Sequence, residues 1–273
     1  MVDYMNNRNE KPMFAEERKM AIVETVVRNG SVTVTELCDS FEVSPATIRN
    51  DLRDLEVAGK LVRTHGGAMV RQRTGSETTL AARAVENVEA KKAIALAGIE
   101  CVEDGDTLIL DVGTTVYELA RLIVERRQTK IVTNDLNIGL LADEYPGTEI
   151  YLLGGRTRPG YHCTIGPSAI RELADLAVDK AFLGTNGLDV EYGASTPDPG
   201  HGEIKKAMLA AAAKVYLLCD ATKIGRRAFS RFAETREIDV IVTDRISRAQ
   251  REQFEDSGIE VIARSVLEGP KES

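Results

Sequence analysis

No stretch of the chain approaches the roughly 20 consecutive apolar residues that a membrane-spanning helix requires. Residues 1–12 are polar, with no apolar run of the kind a secretory signal carries. The sequence therefore predicts a soluble, cytoplasmic protein with no membrane partner. Sulfur and imidazole are scarce as well. The four cysteines, Cys38, Cys101, Cys163 and Cys219, lie far apart, with no two-residue gaps between them and no histidine cluster beside them. That spacing argues against both a zinc site and a disulfide framework, so reduced and mostly buried thiols are expected, with no metal and no cofactor. An excess of basic charge is also missing, since 35 Lys and Arg face 43 Asp and Glu for a net charge of −8. A surface that binds nucleic acid by global positive charge is thereby ruled out.

The deficit is unevenly placed. Residues 1–73 hold 11 basic and 11 acidic side chains, so the whole −8 belongs to residues 74–273. Within residues 43–73 there are six basic side chains (Arg49, Arg53, Lys60, Arg63, Arg71, Arg73) and only three acidic ones. Any contact with DNA must be local and oriented. At 273 residues and 43% hydrophobic content, the chain is long enough for a small domain and a larger one of roughly 150 to 200 residues.

In the first third, Met20, Ile22, Val23, Val26 and Val27 recur at helical spacing before the stop signal Asn29-Gly30. Thr33 and Glu36 form a capping-box pattern ahead of Leu37, Cys38 and Phe41, which predicts a short second helix. Ser44 is an N-cap and Pro45 a first-turn residue, so a third helix starts there. Its Ile48, Leu52 and Leu55 fall at i, i+4 and i+7, an inward stripe that leaves Ala46, Thr47, Arg49, Asn50 and Arg53 facing out. Two short helices, the second with a polar and basic outer face, describe a helix-turn-helix whose recognition helix enters the major groove of double-stranded operator DNA. Arg49 and Arg53 suit guanine edges or phosphates, and Asn50 suits adenine. Residues 60–70 then read as a hairpin wing with glycines at its turn, carrying Arg63 and His65 toward the DNA backbone. The expected DNA contacts are Ser44, Ala46, Thr47, Arg49, Asn50, Arg53, Arg63 and His65.

Residues 71–87 read as a linker. Across residues 88–265 helical and strand patterns alternate, which calls for a largely parallel sheet covered on both faces, with ligand bound beyond the carboxyl ends of the strands. The strand Thr107 to Leu110 runs into Asp111-Val112-Gly113-Thr114-Thr115 and then a helix, an arrangement of free N–H groups and hydroxyls suited to phosphate. Other strand ends carry Thr133-Asn134, Gly154-Gly155, Asn186, and Asp220 with Lys223, while Glu203 and Lys205 open a helix after a long loop. Any of these can be ordinary turn chemistry; together they predict a pocket for a hydroxylated, phosphorylated ligand.

Both halves carry a resemblance. Arg18, the string Ser44-Pro45-Ala46-Thr47-Ile48-Arg49-Asn50-Asp51-Leu52, Leu55, Gly59 and the wing from Arg63 to Ala68 resemble the DNA-binding domain of the DeoR family of bacterial regulators. The chain departs from many members at Asn50, where a second Arg is common. Asp111 to Thr115, Thr133-Asn134, Gly154-Gly155, Leu183-Gly184 with Asn186-Gly187, Glu203 with Lys205, and Asp220 with Lys223 and Gly225 resemble the family's sensor domain. The resemblance implies a winged helix-turn-helix over residues 14–70 and a Rossmann-like α/β domain over 88–265, similar to ribose-5-phosphate isomerase A. It implies repression of a sugar or polyol operon, relieved by a phosphorylated sugar or polyol effector, in a homodimer or homotetramer. The rival is a sugar-phosphate isomerase or deaminase with an accessory domain. In that reading the carboxylate base falls in the segment Thr185 to Asp189, where Asn186 replaces the first acid and only Asp189 remains.

Overall fold

A computed structural model describes residues 14–29, 31–64, 66–70 and 78–265 of the chain. The chain divides into two compact units, residues 1–73 and residues 74–273. The first comprises α1 (Ala15–Asn29), β1 (Ser31–Thr33), α2 (Val34–Phe41), α3 (Pro45–Val57), β2 (Leu61–Thr64) and β3 (Gly67–Val70). Thr33 and Glu36 close the anticipated capping box, and Glu42 in the left-handed region ends α2. Ser44 Oγ accepts the Thr47 N–H to start α3. Ile22, Val26, Leu37, Ile48, Leu52 and Leu55 form the core of this small unit. Beneath α3, Arg18 Nε donates to Asp51 Oδ2 at 2.6 Å and its Nη2 to Oδ1 at 3.2 Å, a buried bidentate pair joining α1 to α3.

The wing is a strand larger than the sequence suggests. The antiparallel order is β1-β3-β2, so Ser31–Thr33 is a strand and not merely part of a turn. Three residues are too few to show a period, and this strand exists only through its partner. Gly67 is what lets the two backbones approach: a Cβ there would lie 1.9 Å from the Val32 carbonyl oxygen.

The second unit runs α4 (Leu80–Val85), α5 (Val88–Gly98), β4 (Thr107–Leu110), α6 (Thr114–Arg126), β5 (Lys130–Thr133), α7 (Leu136–Asp143) and β6 (Glu149–Leu152). It continues through β7 (Arg156–Arg158), β8 (Cys163–Ile165), α8 (Pro167–Ala174), β9 (Val178–Gly184), β10 (Gly187–Asp189), β11 (Gly193–Thr196) and α9 (Pro199–Ala211). It ends with β12 (Ala212–Leu218), β13 (Ser230–Ala233), β14 (Val240–Thr243), α10 (Arg248–Asp256) and β15 (Glu260–Ala263). Seven strands pair in parallel in the order β15-β14-β12-β9-β4-β5-β6. Side chains alternate along each strand, so the sheet feeds two cores. Leu108 and Leu110 pack with Ile94, Val116 and Ile138 of α5, α6 and α7. Ile109 packs with Leu173, Met208 and Phe254 of α8, α9 and α10. This is the two-faced α/β layer that the alternation predicts.

Three features depart from the sequence reading. The span 71–87 is not all linker, because residues 80–85 form α4, which packs against α6. β7 pairs with β8, and β10, β11 and β13 form an antiparallel sheet of their own. No helix of the described residues is long and apolar enough to cross a membrane.

Candidate functional site

β4 and β9 lie side by side, but the chain leaves β4 toward β5 and β6 and leaves β9 toward β12. Their following loops diverge, which opens a crevice at the carboxyl ends of the two strands. A cavity of about 60 Å³ occupies that position. On one side is the start of α6, where Gly113 as N-cap offers no side chain to the helix. The N–H groups of Thr114, Thr115 and Val116 consequently begin a 13-residue helix without a capping side chain, and all three residues line the cavity. Facing them are Gly184-Thr185-Asn186, then Lys205 and His201 of α9, then Asp220 and Lys223 after β12.

A buried ion pair sets the floor. Asp111 and the Lys205 ammonium are bonded directly, with side chains 1% and 4% exposed. Asp111 Oδ2 also accepts the Gly184 N–H at 2.9 Å, and Lys205 Nζ donates to the Gly184 carbonyl at 2.9 Å. One residue after β4 and one at the end of β9 are thus locked together at the point where the strand order reverses. His201 is buried with its Nε2 3.5 Å from Cys163 Sγ; burial, aided by Lys205, holds its imidazole neutral well below the usual pKa. Burial likewise pushes the Cys163 thiol up to about 12. Asp135, at the start of α7, accepts the N–H groups of Asn137 and Ile138 at 2.8 and 3.3 Å. Burial raises its carboxyl to about 6 against the pull of those donors and of the Gly113 N–H.

The residues expected at the ligand divide into two groups. Gly113, Thr114, Thr115, Asn186, Lys205, Asp220 and Lys223 line the cavity, and Asp111 lies behind Lys205. The others sit elsewhere and have structural partners. Thr133 is fully buried, its hydroxyl donating to Leu110 O at 2.6 Å, and Asn134 Nδ2 donates to Thr164 O at 2.8 Å. Gly154 N–H goes to Glu172, and a Cβ on Gly155 would lie 2.7 Å from Ile165 O. Asn134 and Gly155 thus pack against β8 of the β7–β8 hairpin, while Thr133 ties β5 to β4 and Gly154 meets α8. Glu203 is exposed on α9 and paired with Lys206 at 2.9 Å. Sequence reasoning missed Arg83, Glu86, Asn87 and Lys91, which α4 and α5 bring to the cavity wall, as well as Thr185 and His201. Four cationic side chains (Arg83, Lys91, Lys205, Lys223) and two carboxylates (Glu86, Asp220) line the wall. Asp189 is not among the lining residues: its Oδ1 takes Arg227 Nη2 at 2.8 Å and the N–H groups of Glu191 and Tyr192. Burial would raise that carboxyl, but Arg227 and the two N–H groups outweigh it and hold it below its ordinary value.

The second candidate surface is the outer face of α3. Ala46, Arg49, Asn50 and Arg53 are exposed and Thr47 is half-buried. Arg53 Nη2 donates to Asn50 Oδ1 at 2.9 Å, so these two side chains act as a unit one turn apart. Arg63 on β2 is exposed beside Glu56, whose Oε1 accepts the Arg63 N–H at 3.0 Å. His65 lies outside the described residues.

Comparison with known proteins matches both units. Residues 18–74 match the DeoR-like helix-turn-helix domain, and residues 86–245 match the DeoR C terminal sensor domain. The HTH-type transcriptional regulator GlpR of Haloferax volcanii is 38% identical over 92% of this chain and 98% of its own length. A putative aga operon transcriptional repressor of Escherichia coli O157:H7 is 32% identical, covering 90% and 93%. The HTH-type transcriptional repressor GlcR of Bacillus subtilis is 31% identical, covering 94% and 99%. Among solved structures, a D-ribose-5-phosphate isomerase aligns at a TM-score of 0.38 and 20% identity over 49% of this chain and 52% of its own, too loose a likeness to bear on chemistry. With two family models matched in order and relatives aligned end to end, the chain belongs to the DeoR family of DNA-binding transcriptional regulators.

Proposed function

We propose that the protein represses a sugar- or polyol-utilisation operon and that a phosphorylated sugar or polyol, bound in the cavity between β4 and β9, relieves the repression. The observation that carries this reading is the uncapped start of α6, open to a cavity whose opposite wall bears Lys205 and Lys223. Helix N–H groups with no capping side chain are satisfied by an anion, and nearby ammonium groups add attraction where water is restricted. Thr185, Asn186 and Asp220 also line the cavity and offer donors and acceptors for sugar hydroxyls. The names of the relatives, an aga operon repressor and GlcR among them, support a carbohydrate signal. On DNA, α3 reads the major groove through Arg49, Asn50 and Arg53, with Ser44, Ala46, Thr47, Arg63 and His65 around it. One helix-turn-helix reads one half-site, so a homodimer or homotetramer is the working assembly, acting in the cytoplasm.

The test is a thermal-shift screen of the full chain against sugar phosphates and their unphosphorylated counterparts. A ligand at 100 times its dissociation constant stabilises by about 2.7 kcal/mol, which a melting curve resolves. Thr114→Val and Lys223→Ala should each reduce that shift while leaving operator affinity without ligand intact. Equal shifts in both variants would place the phosphate elsewhere. The rival enzyme reading predicts turnover of ribose 5-phosphate or glucosamine 6-phosphate. A rate above background that vanished in Asp189→Asn would restore it, and none is expected.

A further inference from the structure

β6 forms one edge of the seven-stranded sheet and β15 the other. An edge strand presents a row of outward N–H and C=O groups, which proteins usually cover, charge or pair. β15 follows that rule, because Arg251 Nη1 donates to the Val261 carbonyl at 2.7 Å. β6 does not. The N–H groups of Glu149 and Leu153 bond to Thr129 O and Thr133 O at 3.1 and 2.8 Å, on the β5 side. By the alternation of a strand, the N–H and C=O groups of Ile150 and Leu152 point out of the sheet. Among the described residues no side chain bonds to them.

The side chains along this edge are apolar where a protected edge would carry charge. Ile150 packs into the core shared with α7, and Leu152 lies on the same face against Gly139 of that helix. Leu152 is 48% exposed, and Leu140, the next residue of α7, is 70% exposed. Tyr151 points to the opposite face, 47% exposed, with the Lys130 ammonium 5.6 Å from its ring centroid. The two ends of the strand differ in charge. Glu149 begins it, paired with Lys130 at 3.2 Å, while Arg156 beyond the other end is exposed and has no ion pair among the described residues.

Resting on the oligomer read above, we propose that β6 pairs antiparallel with β6 of a second copy, about a two-fold axis at Tyr151. In an antiparallel pair, opposed residues that exchange both main-chain bonds alternate with opposed residues that exchange none. With Tyr151 opposite itself, Ile150 of each copy exchanges both bonds with Leu152 of the other, and the outward groups of both residues are used. Other registers fail. Centred on Ile150, the pairing would call on Thr148, whose N–H is held by Tyr145 O at 3.0 Å. Centred on Leu152, it would call on Gly154, whose N–H goes to Glu172 Oε2 at 3.2 Å. The side chains agree with the axis at Tyr151. Ile150 meets Leu152 of the other copy on the α7 face and the two tyrosines meet on the opposite face, cross-strand pairs of the kind that stabilise sheets. Antiparallel order also brings the Glu149 end of each strand toward the Arg156 end of its partner, so unlike charges approach. Because every match is a match of the strand with itself, the occupant is a second copy of this chain, joined by one patch used twice.

The experiment measures the mass of the full chain by sedimentation equilibrium. The wild type should be a dimer or tetramer. Leu152→Pro, which removes an outward N–H and leaves the bonds to β5 in place, should halve the mass of the assembly. Tyr151→Lys sets two ammonium groups opposite each other and should do the same; it decides the question where the proline variant fails to fold. Tyr151→Cys should crosslink to itself under mild oxidation, because directly opposed residues bring their Cα atoms within disulfide reach. Glu149→Cys, set opposite Leu153, should crosslink no more than the wild type. Unchanged mass in Tyr151→Lys, or no crosslink in Tyr151→Cys beyond that of the wild type, overturns this interface and leaves the oligomer standing. A monomeric wild type overturns both.

Discussion

Replacing Lys205 with Met tests the arrangement on which the cavity rests. The substitution keeps the length of the side chain and removes the ammonium, leaving the Asp111 carboxylate 1% exposed with the Gly184 N–H as its remaining donor on Oδ2. Asp111 Oδ1 has no hydrogen-bond partner among the described residues, so no second contact compensates. Gly184 O loses its donor at the same time. Breaking one side of a buried pair typically costs about 3 to 5 kcal/mol, a large part of the roughly 5 to 15 kcal/mol that holds a domain together. Urea unfolding of the full chain should show the sensor-unit transition at markedly lower denaturant and the DNA-binding transition unmoved. The double variant Asp111→Asn with Lys205→Met removes both charges and should recover most of the loss, to within about 1 to 2 kcal/mol of wild type. A loss below about 1 kcal/mol in the single variant would refute the reasoning. So would a double variant no more stable than the worse single.

Three other outcomes are expected. Arg49→Ala and Arg53→Ala should each cost about 1 to 3 kcal/mol of operator binding at fixed salt, and unchanged affinity in both would remove α3 as the reading helix. Arg18→Met should cost the DNA-binding unit about 3 kcal/mol in chemical denaturation by stranding buried Asp51, with the sensor transition unchanged; equal loss in both transitions would contradict the division into units. Asp135 has its folded pKa raised from 3.8 to about 6, so its contribution is fully present below pH 4 and is lost as pH rises through 6. Asp135→Asn, which can still cap α7, should accordingly stabilise the sensor unit by about 1 to 3 kcal/mol at pH 7.5 and not at pH 4, and a destabilised variant at pH 7.5 would reverse that sign.

Much of this architecture is legible in the sequence because it rests on local chemistry. Ser44-Pro45, the Thr33–Glu36 box and Ser247 before α10 mark helix starts through side chains within three residues of the cap. The parallel strands announce themselves as apolar runs because both faces are buried. What escapes is whatever depends on distant partners. β11 and β13 pair Gly193–Thr196 with Ser230–Ala233, and neither string has an apolar period of its own. α4 lacks an apolar stripe and so reads as linker. Lys91 and Lys92 are adjacent and indistinguishable by composition, yet one is buried against carbonyls and the other is an exposed partner of Glu89. The strand-end polar residues fail in the opposite direction. Thr133, Asn134, Gly154 and Gly155 have the chemistry of a ligand site, but their contacts run to β4, to β8 of the β7–β8 hairpin and to α8.

The donors around the cavity are preorganised for binding, and that has a consequence for control. A proton-abstracting site needs a carboxylate free to accept a proton within reach of the substrate carbon. Asp111 is committed to Lys205 and Gly184, Asp220 to the N–H and hydroxyl of Thr222, and Asp189 to Arg227 away from the cavity. The donors, by contrast, are fixed before any ligand arrives: helix N–H groups at α6 and ammonium groups on α5, α9 and after β12. Interactions that hold ground and transition states alike yield affinity without rate. Affinity alone does not switch a regulator either, because a ligand shifts a conformational equilibrium only by the difference in its affinity for the two states. At 100 times the dissociation constant, about 2.7 kcal/mol is available, enough for a shift of roughly a hundredfold if the competing state does not bind at all. That difference must arise where the wall can change. The floor at Asp111, Lys205 and Gly184 is buried and tied to two central strands, whereas α4, on the cavity's wall, buries none of its side chains.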